Sequence, residues 1–281
     1  MTTGQAGAAP IVQDGIRRVF DEASSYYKDL RWEKTRLTRF EKSLTQRTLE
    51  AELGPERVAS ALELGCGPGT WTGLLTRRAD QVTAVDLSPM MLAQARSTLG
   101  EAGISYVNAD ASKFQAKEKF DRVISVRVIE YIPEWREVVA RIGEAARPGG
   151  RAVLITKTKF SVWRGTGRER WFTAGPRRLR NRMLGSPQPA RDFWQKYVTT
   201  RELATALREE GFANVRIRPV IFGLPIFVRG TMQYPIVPEF AEPAFLKAFE
   251  AGWSWASGRG RVVRKASLVL SESYAVSGTR T

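Results

Sequence analysis

Three glycines on alternate positions, Gly65, Gly67 and Gly69, follow an apolar run over residues 58–64, and apolar residues at helical spacing follow over residues 71–75. This order predicts a buried strand, a tight turn and a helix start. Glycine accepts a positive φ, and because it has no Cβ a ligand can lie directly against the backbone. A helix start adds free N–H groups at the same place. The stretch therefore predicts a ligand-binding turn.

The spacing of this turn distinguishes between two kinds of ligand. A dinucleotide site has the pattern G-x-G-x-x-G, whereas the sixth position here is Thr70 and the third glycine comes one residue early. Glu63 also lies two residues before the first glycine. A carboxylate at this place suits a ligand ammonium group and repels a pyrophosphate. The residues favour a ligand that carries a cationic group.

The turn resembles motif I of the class I S-adenosylmethionine-dependent methyltransferases of the small-molecule type, in which an acidic residue precedes G-x-G-x-G. Asp86 ends a second predicted strand 21 residues after Gly65, and Asp110 follows a third. FDRVISVRVIEYIP and RPGGRAVLIT resemble the fourth and fifth strands, so the likeness covers roughly residues 58–156. It implies S-adenosylmethionine as cofactor, with Asp86 on both ribose hydroxyls and Asp110 on the adenine amino group. A carboxylate can accept both hydrogen bonds of such a diol.

The resemblance also implies the residues of the site. The cofactor-binding residues are predicted to be Tyr27, Glu63, Gly65, Cys66, Gly67, Gly69, Asp86, Leu87, Met91, Asp110, Ala111 and Arg127. The acceptor substrate is predicted to contact Tyr26, Arg127, Tyr131 and Trp163.

Glu130 and Tyr131 are the predicted catalytic residues. They follow the fourth strand, where many relatives carry a glutamate-histidine pair, and either would orient the acceptor or act as its base. Ordinary helix capping or packing is the alternative. The chain has no histidine, so a histidine base is unavailable and no metal site is predicted.

The predicted fold is α/β, a Rossmann-like methyltransferase sheet that is mostly parallel with an antiparallel last strand and helices on both faces. A disordered tail (1–14) and an N-terminal helical cover (15–55) precede the cofactor-binding core (56–157). A basic cap insertion (158–198) and the C-terminal part of the core (199–281) follow. Within this last part, residues 223–243 predict an apolar loop on the substrate side, 244–256 a helix and 262–276 the last strand.

Bulk composition points to a cytoplasmic protein. At 281 residues the chain is long enough for a large core. Its single cysteine, Cys66, excludes an internal disulfide. The sequence contains neither a secretory signal pattern nor an apolar run of about 18 residues.

The net charge of +15 is concentrated in one segment. Residues 157–182 hold nine basic residues against Glu169 alone, a net charge of +8, with Phe160, Trp163, Trp171 and Phe172 interleaved. Such a segment attracts anionic membrane surfaces, acidic substrates or nucleic acid. A solvated loop that aids solubility is the simpler alternative, but the aromatic residues favour a contact surface.

Three functions remain open from the sequence. The first is transfer of a methyl group, by in-line displacement, to an acidic or amphipathic small molecule such as a lipid, quinone, porphyrin or polyketide. The second is methylation of RNA through the basic segment. SVRVIEYIP stands where amino-methylating relatives carry Asp/Asn-Pro-Pro-aromatic, which disfavours that chemistry. The third is cofactor binding without methyl transfer.

The basic segment generates a first prediction. Replacing Arg177, Arg178 and Arg180 with glutamine is expected to weaken cosedimentation with anionic vesicles by up to about 100-fold, since each basic residue contributes about 1 kcal/mol at such a surface. Unchanged vesicle binding and unchanged acceptor binding would contradict the contact role. A loss of tRNA binding with a steep salt dependence would instead support the RNA alternative.

Overall fold

A computed structural model describes residues 8–158, 197–222, 226–229, 232–235, 240–241, 243–244, 246–248, 250–251 and 271–281. The strands are β1 Val58–Leu64, β2 Ala79–Asp86, β3 Ile104–Asn108, β4 Phe120–Val126, β5 Ala146–Lys157, β6 Phe212–Phe222, β7 Ile226–Arg229, β8 Met232–Pro235 and β9 Ser271–Arg280. The helices are α1 Ala8–Lys28, α2 Arg36–Leu53, α3 Thr72–Leu75, α4 Pro89–Leu99, α5 Trp135–Ala145 and α6 Thr200–Glu209. A π-helical segment, Asp29–Glu33, and a 3₁₀ turn, Ile129–Tyr131, complete the set.

The strands form a seven-stranded sheet in the order β3-β2-β1-β4-β5-β9-β6. The pairs from β3 to β5 are parallel, and β9 runs antiparallel to both of its neighbours, β5 and β6. The predicted mostly parallel sheet with an antiparallel last strand is confirmed. The chain moves outward from β1 to β3 and then crosses to β4, so the strand order reverses between β1 and β4. Ligands of open α/β sheets bind outside the carboxyl ends of the strands at such a point.

Both faces of the sheet are buried, as the uninterrupted apolar strands require. Leu62, Val123 and Leu154 face one core, where α5 and α6 pack. Ile124 and Val153 face the other core together with residues of α2 and α3. Helices therefore cover both faces of the central strands β1, β4 and β5.

A capping box fixes the start of α6. Thr199 accepts a hydrogen bond from the Glu202 N–H at 3.1 Å, and the Glu202 carboxylate accepts one from the Thr199 N–H at 2.8 Å. This capping box satisfies N–H groups that the first helical turn leaves free.

The N-terminal helix starts earlier than the sequence suggested. α1 begins at Ala8, within the stretch predicted as a disordered tail up to residue 14. Ala8 and Ala9 are the strongest helix formers, and Pro10 lies in the first turn, where its missing N–H costs nothing. The small, polar composition of the tail hid this helix.

Two predicted elements differ in length or type. The helix after the glycine turn, α3, has only four residues, so it adds little helix dipole to the N–H groups at its start. Residues 226–235, expected to be loop, contain the antiparallel hairpin strands β7 and β8, whose β-branched and aromatic residues favour a strand.

The C-terminal strand extends further than predicted. β9 runs from Ser271 to Arg280 within the described residues, past the predicted end at residue 276, and residues 262–270 of the predicted strand lie outside the described part of the chain. Most of the basic cap, with Phe160, Trp163, Trp171, Phe172, Arg177, Arg178 and Arg180, lies outside the described residues. None of the helices in the described part of the chain combines the length and apolar character needed to cross a membrane.

Candidate active site

The turn after β1 has the conformation that only glycine adopts easily. Gly65, Gly67 and Gly69 have φ angles of 78°, 52° and 81°. A Cβ on Gly65 would lie 2.2 Å from Val128 Cγ2, and one on Gly69 would lie 2.8 Å from Leu99 Cδ1. A Cβ on Gly67 would meet nothing within 4 Å. Packing therefore requires the outer two glycines, while the central one faces open space.

Asp86 at the end of β2 points toward this turn. Its Oδ2 accepts a hydrogen bond from the Gly67 N–H at 2.7 Å, and its Oδ1 accepts one from the Ser88 N–H at 2.9 Å. Burial raises the pKa of Asp86 to about 6, although both backbone hydrogen bonds favour its ionised form. Each carboxylate oxygen keeps acceptor capacity for a ligand hydroxyl.

Glu63 lies behind the turn with one carboxylate oxygen unsatisfied. Its Oε2 accepts a hydrogen bond from Thr72 Oγ1 at 2.6 Å, whereas Oε1 is buried without a hydrogen-bond partner. Burial raises the pKa of Glu63 to about 8 against the opposing effect of the Thr72 hydrogen bond, and the Asp86 charge adds to the rise. A buried acceptor without a donor is costly, which fits a cationic ligand group at this place.

Asp110, which follows β3, also has one carboxylate oxygen that is hydrogen-bonded and one that is not. Its Oδ1 accepts from the Ser112 N–H and hydroxyl at 2.9 and 2.8 Å. Its Oδ2 is buried without a hydrogen bond, and the Lys113 ammonium at 3.7 Å is within ion-pair range only. Open acceptors near a glycine turn thus match an ammonium, a diol and an amino group, the polar groups of S-adenosylmethionine.

The glycine turn, Asp86 and Asp110 border one cavity of about 880 Å³, its open mouth included, within the range of small-molecule sites. Of the predicted site residues, those on its wall are Tyr27, Gly65, Cys66, Gly67, Asp86, Leu87, Met91, Asp110, Ala111, Arg127 and Tyr131. Glu63, Gly69 and Glu130 are not on the wall. Tyr26 is about half exposed on the outside of α1, and Trp163 lies outside the described residues.

Arg127, directly after β4, has an unusual backbone conformation. Its φ of 66° is rare for a residue with a side chain and costs about 1–3 kcal/mol. A hydrogen bond from its N–H to the Ile155 carbonyl, 2.7 Å long, holds this conformation. It directs a buried guanidinium to the cavity.

A chain of polar groups anchors that guanidinium. Arg127 Nε donates to Glu130 Oε1 at 2.7 Å, and Glu130 Oε2 accepts from Thr156 Oγ1 at 2.6 Å. Burial alone would lower the pKa of Arg127, but Glu130, Tyr131 and Glu41 outweigh it and raise that pKa. Glu130 is therefore an ion-pair partner with no exposed surface, and Arg127 stands between it and the cavity.

Aromatic side chains also line the cavity. Phe20 contacts Tyr27 and Tyr131 edge to face, with ring centroids 5.8 and 5.4 Å apart. Trp32 contacts Trp71 in the same way at 5.1 Å. Burial raises the pKa of both phenols, Tyr27 and Tyr131, which keeps them neutral at physiological pH.

Several wall residues were not predicted from the sequence, namely Ile16, Phe20, Trp32, Thr70 and Trp71. Ile16 and Phe20 belong to the apolar stripe of α1, and such a stripe predicts burial without naming the surface that it covers. The Ser88 hydroxyl donates a hydrogen bond to Asp21 and so joins α1 to the N-cap of α4. No pattern in the sequence predicts this contact.

Comparisons with known proteins agree with this geometry. The family described as "Methyltransferase domain" matches residues 61–150. A trans-aconitate 2-methyltransferase from Azoarcus sp. (strain BH72) is 27% identical over 230 residues, which cover 79% of this chain and 88% of that protein.

Solved structures show the same fold. A methyltransferase from Thermotoga maritima has a TM-score of 0.57 at 15% identity, covering 96% of this chain and all of that one. A DhpI structure, described as a complex with SAM and HEP, has a TM-score of 0.55 at 19% identity and covers 78% of this chain and 95% of that one.

The protein is thus an S-adenosylmethionine-dependent methyltransferase, which confirms the predicted activity and cofactor. Within that group, the sheet order and the acidic residue before the glycine turn place it in class I. The individual cofactor contacts remain predictions.

Asp86→Asn tests the cofactor contacts. The variant is expected to weaken S-adenosylhomocysteine binding about tenfold or more, because a charged acceptor for the ribose is replaced by a neutral amide. In the unmutated protein, affinity should also fall as the pH drops below about 6, where Asp86 takes up a proton. Titration calorimetry at several pH values measures both effects. Asp80→Asn, on the same strand but 63% exposed, is the matched control, and equal affinities in the two variants would contradict the assignment.

Glu63→Gln tests the buried carboxyl. Because the pKa of Glu63 is raised in the folded state, the free protein holds a proton that the unfolded chain releases, so this group makes stability fall as the pH rises from about 4.5 to about 8. The variant should therefore unfold several degrees higher than the unmutated protein at pH 8.5, given about 2–4 °C per kcal/mol, and show a smaller difference near pH 5. Calorimetric scans without cofactor provide the measurement. A difference independent of pH would be inconsistent with the raised pKa.

Proposed function

We propose that this enzyme methylates an acidic small molecule at a carboxylate oxygen. The proposal rests on the hydrogen bonding of the Arg127 guanidinium, which lies on the cavity wall. Its Nε is bonded to Glu130, while its two Nη groups make no hydrogen bond with any residue that the structure describes. A planar guanidinium with free N–H groups binds a carboxylate in a defined orientation.

Among the residues that the structure describes, the carboxylates beside Arg127 are engaged in ion pairs, Glu130 with Arg127 and Glu41 with Arg31. The described part of the chain thus offers no base for the acceptor, which supports the same acceptor class. A neutral hydroxyl acceptor needs a group that takes its proton near neutral pH. Tyr27 and Tyr131 have raised pKa values, as does the Cys66 thiol because of burial. Asp86 and Asp110 are assigned to the cofactor. A carboxylate acceptor is already deprotonated at neutral pH and needs no base.

The proposed chemistry balances without any further reactant. When bound, S-adenosylmethionine supplies a methyl group on a sulfonium, and the C–O bond to the acceptor forms as the S–C bond breaks with its electron pair remaining on sulfur. One positive and one negative charge disappear in this step, so a dry cavity favours it. The aromatic side chains of Phe20, Tyr27 and Tyr131 would exclude water, and Arg127 would align the acceptor.

The cofactor is assigned to the end of the cavity that lies between Gly67 and Asp110. Asp86 would hold its ribose, and Glu63, buried behind the turn, would attract its ammonium group through charge. Cys66, Leu87, Met91 and Ala111 would form the surrounding wall. α1 would cover the site, since Ile16, Phe20 and Tyr27 project from it onto the cavity. Glu130 would act through Arg127, as a positioning residue.

The relatives are compatible with this acceptor class. The Azoarcus protein is named a trans-aconitate 2-methyltransferase, and trans-aconitate is a carboxylic acid. Contact with an anionic membrane surface or with nucleic acid through residues 157–182 stays a prediction from charge alone.

A panel of acceptors tests the proposal. The enzyme and labelled S-adenosylmethionine are incubated with trans-aconitate, a long-chain fatty acid, an aromatic carboxylic acid or tRNA. Each acid is compared with the corresponding primary alcohol in a parallel reaction. Label is expected in base-labile esters of one or more of the acids. Label that appears only in alcohols or in tRNA would contradict the carboxylate assignment.

Arg127→Lys tests the anchoring residue. The variant keeps a cation beside Glu130 but loses the planar fork, and the KM of the acid that is methylated is expected to rise about tenfold or more, with S-adenosylhomocysteine affinity nearly unchanged. Arg122→Lys is the control, since Arg122 lies on β4, the strand that precedes Arg127, with a side chain only 13% exposed and outside the cavity wall. Equal KM values for the two variants would remove Arg127 from the acceptor site.

A further inference from the structure

A second buried ion pair lies beside Arg127 and comes from the N-terminal part of the chain. Arg31, in the π-helical segment, donates through Nη1 to Glu41 Oε2 at 2.8 Å and through Nη2 to Glu41 Oε1. Glu41, on α2, is buried, and the side chain of Arg31 is 14% exposed. Both oxygens of the Glu41 carboxylate are therefore engaged by one guanidinium.

Glu41 is also close to Arg127 without bonding to it. Its Oε1 lies 3.9 Å from Arg127 Nη1, within ion-pair range but beyond a hydrogen bond. Two guanidinium groups thus compete for one buried carboxylate, and Arg31 holds it with the better geometry. If Arg31 were absent, Arg127 would be the nearest described cation for Glu41, and the closure needed is only about 1 Å.

We propose that Arg31 is a positioning residue that keeps Glu41 away from Arg127, so that the Nη groups of Arg127 stay available to the acceptor anion. The inference rests on the proposed function, because it assigns those groups to the acceptor. In this arrangement Glu130 fixes the Nε side of Arg127, and the Arg31–Glu41 pair keeps the other side open.

The position of Arg31 is fixed from the cofactor side of the cavity. Its guanidinium lies over the Trp32 ring, 4.1 Å from the centroid, and Trp32 in turn contacts Trp71 after the glycine turn. The π-helical winding of Asp29–Glu33 places Arg31 and Trp32 there, and such segments are frequent at functional sites. A cation–π contact and an edge-to-face contact thereby connect Arg31 to the cofactor turn.

A cycle of variants tests the inference in the full-length protein bound to S-adenosylhomocysteine. Arg31→Met is expected to weaken binding of the methylated acid of the panel about tenfold or more, because Glu41 then pairs with Arg127. The double variant Arg31→Met/Glu41→Gln should restore that affinity to within about threefold, since the competing charge is gone. Calorimetry gives both affinities, and that of S-adenosylhomocysteine should change little in either variant.

Lys42→Met is the matched control. Lys42 pairs with Glu33 at 2.9 Å and so joins α2 to the same π-helical segment, without being part of the cavity wall. If Lys42→Met weakens acid binding as much as Arg31→Met does, then attachment of the π-helical segment to α2, and not the Arg31–Glu41 pair, explains the loss. That result would overturn the proposal. Failure of the double variant to recover would overturn it as well.

A crystal structure of Arg31→Met separates this inference from the proposed function. Glu41 within hydrogen-bond distance of an Arg127 Nη atom supports the inference even if none of the three acids binds, an outcome that would contradict only the acceptor assignment. Glu41 still at about its present distance from Arg127 Nη1 would overturn the inference even if an acid is methylated.

Discussion

The hydrogen bond from the Gly67 N–H to Asp86 is the contact on which the site depends. Together with the N–H groups of Gly65 and Cys66, which donate to the Val85 carbonyl at 2.7 and 2.9 Å, it ties the turn after β1 to the end of β2. Because β1 and β2 are parallel neighbours and β1 borders the point where the strand order reverses, the turn and the carboxylate face the same opening. A ligand that lies on Gly67 must meet Asp86.

Buried charge distinguishes the two halves of the cavity. At the cofactor end, Glu63 and Asp110 each keep an oxygen without a hydrogen bond, an expensive state that a cationic or amino-bearing ligand relieves. At the acceptor end, Arg127 and Arg31 are each paired with a glutamate. Burying two such pairs contributes little net stability, so their retention at the cavity fits a role in positioning.

The cofactor half could be predicted from the sequence and much of the acceptor half could not. The turn, Asp86 and Asp110 follow from short-range spacing, since each ends a predicted strand of a parallel sheet. The acceptor network joins Arg31 and Glu41 of the N-terminal helices to Arg127, Glu130 and Thr156 of the sheet, and no local pattern records such distant pairings. Glu130 was predicted as catalytic for its place after β4. Its burial behind Arg127 became visible only once β4 and β5 were placed side by side.

We expect the turn at Gly67 and the Asp86 carboxylate to hold the cofactor jointly. A crystal structure of the protein in complex with S-adenosylhomocysteine would show this. Both ribose hydroxyls are expected within hydrogen-bond distance of Asp86, and the amino-acid end of the ligand against Gly67. A ligand bound elsewhere in the cavity, with Asp86 keeping only its bonds to Gly67 and Ser88, would contradict it.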